Sequence, residues 1–283
     1  MKLLYKVHEP MLLREFLQHQ HISKKSLSAI KQNGALVVND NPVTVRYQLV
    51  LDDIIEIHLP EEFPSASLTP SDGPLNILYE DDYLCIVSKA PGVSTMPSML
   101  HPHDSLLERV LAHFINHDET GIPHIVTRLD RNTSGIVVFA KHQLIHHLMT
   151  GKISKTYVCI VCGKIPLSGV IDYPISRKGD SIIERQVSAN GKAALTSYVA
   201  LHHSDDYSVA AVKLHTGRTH QIRVHFQAIG YPLAGDTLYG KDKRLSRQAL
   251  HALQIEFVHP ITGVHIVLQD SPYKDLRSLI PML

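Results

Sequence analysis

Hydrophobic positions over residues 1–60 change period twice, and each change predicts an element. Leu12, Leu13, Phe16 and Leu17 recur at helical spacing, which predicts a helix over Met11–Gln20. Ser23 stands where an N-cap would open a second helix, Lys24–Asn33, with Gly34 at its C′ position. Ala35–Asn39 then has the pattern of a strand, Asp40-Asn41-Pro42 that of a turn, and Asp53–Leu59 alternates as a half-buried strand does. These elements predict a small, independent α+β module over residues 1–60. Residues 61–75 are rich in Pro, Ser and acidic groups and have the composition of a linker.

The rest of the chain, residues 76–283, is dominated by strand-like segments: Tyr83–Ser88, Gly135–Ala140, Thr156–Val161, Thr196–Leu201, Ser208–Leu214 and Val264–Leu268. Helical spacing marks Asp104–Asn116 with Asp104 as N-cap, His142–Thr150 and Thr219–Ile229. The order shows no regular βαβ alternation. It therefore predicts a mixed α/β domain of the α+β class, and a doubly wound sheet is not indicated. No internal repeat interrupts the pattern.

Composition narrows the class. A hydrophobic fraction of 44% is enough for a proper core, and no apolar run approaches the length of a membrane span. Met1–Pro10 carries charges and no long apolar stretch, so no secretory leader is visible. Three cysteines are too few and too odd in number for a disulfide framework, which points to a reducing cytoplasm. The formal charge is only +1, yet residues 141–247 hold 15 Lys and Arg against 7 Asp and Glu. That excess is consistent with one basic face for nucleic acid, and equally with scattered solvated lysines.

Two segments carry chemistry. Val126-Thr-Arg-Leu-Asp130-Arg-Asn-Thr-Ser-Gly135 packs Arg128, Asp130 and Arg131 together just before an apolar strand. A carboxylate between two guanidiniums should stay ionised, and a loop leading into a rigid strand is a suitable place for a nucleophile. The plainer reading is a surface turn whose Asp caps a backbone N–H. The second segment is Thr216-Gly-Arg-Thr-His-Gln-Ile-Arg-Val-His225. On a helix, Thr219 and Arg223 would be neighbours, as would Gln221 and His225. Such a face can hold phosphate or grip a carboxylate bidentately, or it can be an ordinary exposed amphipathic helix.

Together these segments resemble the RluA type of pseudouridine synthase. That family's His-Arg-Leu-Asp-x-x-Thr-Ser-Gly signature is matched by Thr127-Arg128-Leu129-Asp130-Arg131-Asn132-Thr133-Ser134-Gly135. Further blocks match at Gly217–His225, at Gly230-Tyr-Pro-Leu-Ala-Gly-Asp236-Thr-Leu-Tyr-Gly240, at Lys155-Thr-Tyr157, at Leu250-His251-Ala252 and at Phe257–Pro260. The likeness spans residues 76–283. Two positions depart from it: Thr127 replaces the usual His, and Lys89-Ala-Pro-Gly92 replaces Lys-Pro-x-Gly.

The resemblance implies a mostly antiparallel mixed sheet flanked by helices, and isomerisation of uridine to pseudouridine in structured RNA with no cofactor and no metal. By motif matching, Asp130 is the catalytic carboxylate. Tyr157 would stack on the uracil and help remove the proton at carbon 5, and Arg223 would grip Asp130 bidentately. Arg128 would take the space left by the flipped nucleotide. Arg131, Arg218, His220, Gln221 and Leu250 would line the RNA-binding surface. Residues 1–60 resemble the small RNA-binding module named after ribosomal protein S-four, with Arg14, Lys24, Lys25 and Lys31 turned to phosphate. Large-subunit ribosomal RNA is the expected substrate, with transfer RNA as the alternative, and a monomer is expected.

Rival readings leave a mark on the sequence or fail to. A non-catalytic RNA-binding or ribosome-assembly protein would share the basic surfaces but would have no use for Asp130. A nucleoside hydrolase would release uracil and would need no N-terminal module. The 20 histidines suggest metal, but His101-Pro-His103, His146-His147 and His202-His203 lack partners at metal-site spacing. Cys159-Ile-Val-Cys162 sits in an apolar strand whose alternation sends its two thiols to opposite faces. No P-loop and no Gly-rich dinucleotide turn is present.

Overall fold

The computed structural model of the protein describes residues 1–119 and 121–278. The N-terminal unit contains β1 (Lys2–Lys6), α1 (Leu13–His19), α2 (Lys24–Asn33), β2 (Ala35–Val38) and β3 (Ile54–His58). Its sheet runs β1-β3-β2, all antiparallel, with Asn41–Pro42 folded back on β2. Helix α2 covers the expected residues because the Ser23 hydroxyl accepts the Ser26 backbone N–H at 3.1 Å. Helix α1 is shorter than its apolar spacing suggests, since Met11–Leu12 pair as strand with Gln48–Leu49. Gly34 is not a left-handed cap: its φ is −130°. Glycine is required there by space, because a Cβ would stand 2.1 Å from the His58 carbonyl oxygen. The turn falls at Asn39 and Asp40, both at positive φ, one residue earlier than the Pro suggests.

The second unit contains β4 (Asn76–Glu80), β5 (Leu84–Lys89), α3 (Leu106–Asn116), β6 (Ser134–Ala140), α4 (Gln143–Met149) and β7 (Ser154–Cys162). It continues with β8 (Ser168–Asp172), β9 (Leu195–His203), β10 (Tyr207–Leu214), α5 (Gln221–Ala228), β11 (Leu250–Val258) and β12 (His265–Gln269). These strands form most of a ten-stranded sheet, ordered β8-β9-β10-β7-β11-β6-β5-β4, with β12 beside β11 and His124–Ile125 beside β6. Every pairing is antiparallel except β6 with β11. The fold is the mostly antiparallel α+β arrangement expected.

Period-two alternation explains how helices cover both faces. On β5 and β6, Cys85, Val87, Val137 and Phe139 pack with α3, while Leu84, Ile86, Ile136 and Val138 join α4 and the N-terminal unit. On β7, Tyr157, Cys159 and Val161 pack with Ile222 and Phe226 of α5, and Val158 and Ile160 face the other way. Cys159 and Cys162 thus lie in different clusters. Each such buried side chain contributes roughly 1.5–3 kcal/mol.

The N-terminal unit shares one apolar cluster with the sheet. The connecting segment, without helix or strand between residues 59 and 75, is itself fastened. Glu62 accepts from His124 Nε2 at 2.9 Å and from the Gln143 backbone N–H at 3.1 Å. Helix α3 also departs from expectation. Its cap is Ser105, in a reciprocal capping box with Glu108, while Asp104 sits at φ +60° and grips Arg109. Among the described residues no helix is long and apolar enough to cross a membrane.

Candidate active site

The one parallel contact in the sheet among the described residues fixes the site. Ser134 pairs with His251 and Gly135 with Ala252, so β6 begins beside the start of β11. Gly135 has φ +110°, and a Cβ there would lie 2.3 Å from the Ala252 carbonyl oxygen, so only glycine permits the approach. Across the other edge of β11, Tyr157 pairs with Ala252, next to a bulge between Thr156 and Tyr157. Such a bulge bends its strand and re-aims the side chains beside it. Register thus brings the loop before β6, which carries Asp130, to the same end of the sheet as Tyr157 and Leu250.

A cleft of about 310 Å³ opens there. Asp130, Arg128, Tyr157, Leu250, Arg218, His220, Gln221 and Arg223 all line it. Arg223 is buried on α5. Its Nη1 donates to Asp130 Oδ2 at 3.3 Å. The bidentate grip expected for Asp130 goes instead to Asp236: Nε donates to Oδ2 at 2.7 Å and Nη2 to Oδ1 at 2.8 Å. Asp236 is fully buried and also accepts the backbone N–H groups of Leu238 and Tyr239. It anchors the planar guanidinium by one edge and leaves the other free to reach Asp130. Pattern reading included Asp236 only as part of a matching block. Its fully buried charge, which demands a partner, is a property of the folded chain.

Other expected residues distribute unevenly. Arg128 is exposed at the cleft. Arg218 is exposed and donates from Nε to the Ala193 carbonyl at 2.9 Å. Gln221 does not offer its amide to a ligand. Its Oε1 accepts from Thr216 and from the Arg218 backbone, and its Nε2 donates to Leu195 and Thr196. Every hydrogen-bonding position of the side chain is therefore used inside the protein. Gln221, Arg223 and His225 are all buried, so α5 is not an exposed amphipathic helix. Arg131 is exposed but does not line the cleft. Its carbonyl is held by Lys89 Nζ at 2.9 Å and by the Gly92 N–H, which braces the Asp130 loop from behind. Burial pushes the Lys89 pKa down to about 7. Lys24, Lys25 and Lys31 are exposed on α2, away from the cleft.

Burial, reinforced by the charge of Asp130, pushes the Tyr157 phenol far above its ordinary pKa. The ring is a neutral wall of the cleft and not a ready phenolate. Burial also lowers the His220 pKa, so that imidazole is neutral near pH 7. Among the described residues no group of three His, Cys, Asp or Glu side chains converges as a metal site requires.

Residues 83–228 match the family model described as RNA pseudouridylate synthase. The YjbO protein of Bacillus subtilis, named an uncharacterized RNA pseudouridine synthase, is 39% identical over 95% of this chain and 98% of its own. The chain belongs to the RNA pseudouridylate synthase family. Ribosomal large subunit pseudouridine synthase D of Nitrosomonas europaea is 39% identical over 71% of this synthase and 63% of that protein. The fold is shared with human RNA pseudouridylate synthase domain containing 1, at TM-score 0.60 and 24% identity over 78% of this chain and 90% of that one. The synthase is thus an isomerase that acts on uridine in RNA. The non-catalytic and nucleoside-hydrolase readings fall with that membership.

Proposed function

We propose that Asp130 is the catalytic carboxylate of this pseudouridine synthase and that large-subunit ribosomal RNA is its substrate. The observation that carries the first part is the cleft itself. One oxygen of Asp130 is held by an anchored guanidinium, and the carboxylate opens onto a space walled by Tyr157 and Leu250. Simple phosphate binding has no use for an acidic group in that position. The second part is supported by relatives named for the large ribosomal subunit.

The isomerisation is balanced within the nucleotide. The bond from ribose carbon 1′ to ring nitrogen 1 breaks, the uracil turns, and carbon 1′ bonds to carbon 5. Carbon 5 loses a proton and nitrogen 1 gains one. A duplex or stacked loop shields carbon 1′, so the target nucleotide must be flipped out. Arg128, exposed where it lines the cleft, would occupy the vacated space. Carboxylates serve glycosyl chemistry of this kind by attacking, or stabilising, an oxocarbenium-like sugar. Tyr157 holds the detached uracil as a neutral platform. Its raised pKa does not favour the proton-accepting role that motif matching gave it. The N-terminal unit supplies a second RNA contact through exposed Arg14, Lys24, Lys25 and Lys31.

Asp130→Asn is isosteric, so RNA binding should persist while product formation falls by at least roughly a thousandfold. Release of tritium from carbon 5 of labelled uridine in RNA measures the rate. Wild-type turnover by the purified variant would sink the assignment. Mapping pseudouridine in total RNA with and without the gene tests the substrate: a lost site in large-subunit RNA supports it, and a lost site in transfer RNA overturns it.

A further inference from the structure

Behind Asp130 lies a chain of hydrogen bonds that the scheme above leaves unused. The Tyr239 hydroxyl accepts the Arg185 backbone N–H at 2.8 Å and lies 2.8 Å from His220 Nδ1. A phenol has one proton. Its oxygen already accepts from Arg185, so the contact with Nδ1 is satisfied when the phenol donates. The imidazole proton then sits on Nε2. From the opposite side, His220 Nε2 stands 3.7 Å from Asp130 Oδ2, and a carboxylate prefers a protonated nitrogen there. Both neighbours select the same tautomer. His220 also has φ +58°, a left-handed conformation that residues other than glycine seldom hold unless their surroundings impose it.

We propose that Tyr239 locks His220 as a neutral Nε2–H donor aimed at Asp130, so that His220 and Arg223 together hold one carboxylate oxygen and leave the other to the ribose. The proposal rests on Asp130 as the catalytic carboxylate. Tyr239 and His220 are positioning residues in this scheme. The 3.7 Å separation is just beyond hydrogen-bond length and closes as substrate fills the cleft. The charged groups facing His220 are Asp130 from the loop, Arg223 from α5, Arg185 from the hairpin of Ile175–Arg177 and Arg185–Val187, and Asp236 from the segment after α5. Burial and the two arginines hold the imidazole neutral against the two carboxylates.

The test uses the full chain and RNA from cells lacking the gene, tritiated at uridine carbon 5. Nitrogen NMR of histidine-labelled wild-type protein should show His220 as the Nε2–H tautomer. In Tyr239→Phe that preference should weaken, because only Asp130, at 3.7 Å, still favours the proton on Nε2. Its kcat should fall about tenfold with KM held within about twofold. The acid limb of its pH profile should move to higher pH, because an Nδ1 without its donor takes up a proton more readily. The resulting imidazolium would clamp Asp130 as an ion pair. His220→Gln, whose amide N–H reaches the place of Nε2, should recover most of what His220→Ala loses, and both variants carry the same backbone strain. A wild-type spectrum showing Nδ1–H or imidazolium overturns the proposal, as does a Tyr239→Phe enzyme with unchanged kcat and pH profile. Activity in Asp130→Asn would instead remove the reading beneath it, whatever the tautomer.

Discussion

Two buried cations in this protein each stand between two carboxylates and over an aromatic ring, yet of the two only Arg223 lines the proposed active site. Arg223 bridges Asp236 and Asp130 with its guanidinium 5.0 Å from the Tyr239 ring. Lys141 bridges Glu80 at 3.1 Å and Glu119 at 2.9 Å, with its ammonium 5.2 Å from the Phe114 ring. Charge count and burial do not separate them. What differs is the space beside the second carboxylate. Asp130 lines a cleft with Tyr157 and Leu250, whereas Lys141, just past the end of β6, sits over Phe114 of α3 and does not line that cleft. A second difference is shape. A planar guanidinium can be anchored along one edge and still present a donor elsewhere, but an ammonium is a point charge that two carboxylates simply share.

Exchanging the shape at the first site should therefore break the comparison most severely. Arg223→Lys keeps the charge but cannot hold Asp236 along two bonds and reach Asp130 as well. Its kcat should fall by about a hundredfold per folded molecule. Single-turnover tritium release, with folded protein counted by circular dichroism, gives the value. If Arg223→Lys turns over at the wild-type rate, charge alone suffices at that position and the edge-anchoring argument is wrong.

The contrast also shows what a sequence can disclose. Helix α2 and strands β5, β6, β9 and β10 were legible because their apolar periods are unbroken and their caps are local. Strand β11 was not, although it lies at the centre of the sheet. Its segment, Leu250–Val258, mixes His, Gln and Glu among apolar residues, and its buried His251 is satisfied by Ser134, 117 residues away, and by the Asp270 carbonyl. At the site, Asp130, Tyr157 and Arg223 converge as motif matching implies. Asp236 and Tyr239 went unassigned because their roles come from burial and from a bond to Arg185. Gln221 was misjudged for the same reason: an amide with four internal partners looks, in sequence, like a free one.

At the second cation the expected loss is of stability and not of turnover. Lys141→Met removes the charge between Glu80 and Glu119 and leaves two carboxylates facing each other, with His113 beside Glu80. The carboxylates left behind are partly exposed, so the loss falls between that of a buried and a surface pair, about 2 kcal/mol, which lowers the Tm by on the order of 5 °C for a domain of this size. Turnover at a temperature where the variant is folded should stay close to wild type. A hundredfold loss of kcat in well-folded Lys141→Met would show that this cluster communicates with the cleft and would dissolve the distinction.

The smallest effect separates the two clusters by pH. Burial disfavours the Lys141 ammonium, but the bonds it donates to Glu119 and Glu80 outweigh that and raise its pKa above the ordinary 10.5. A cation whose folded pKa is raised adds stability in full below its unfolded pKa and loses it as pH climbs through the folded one. The Tm gap between wild type and Lys141→Met should therefore be constant through neutral pH and narrow only above about pH 10.5. Arg223 should show no such window, since a guanidinium keeps its proton throughout. The comparison is made by measuring each variant's Tm against wild type at matched pH, which cancels the tyrosines and lysines that titrate in both. A gap that closes already near neutrality would mean that the ammonium of Lys141 is not what joins Glu80 to Glu119.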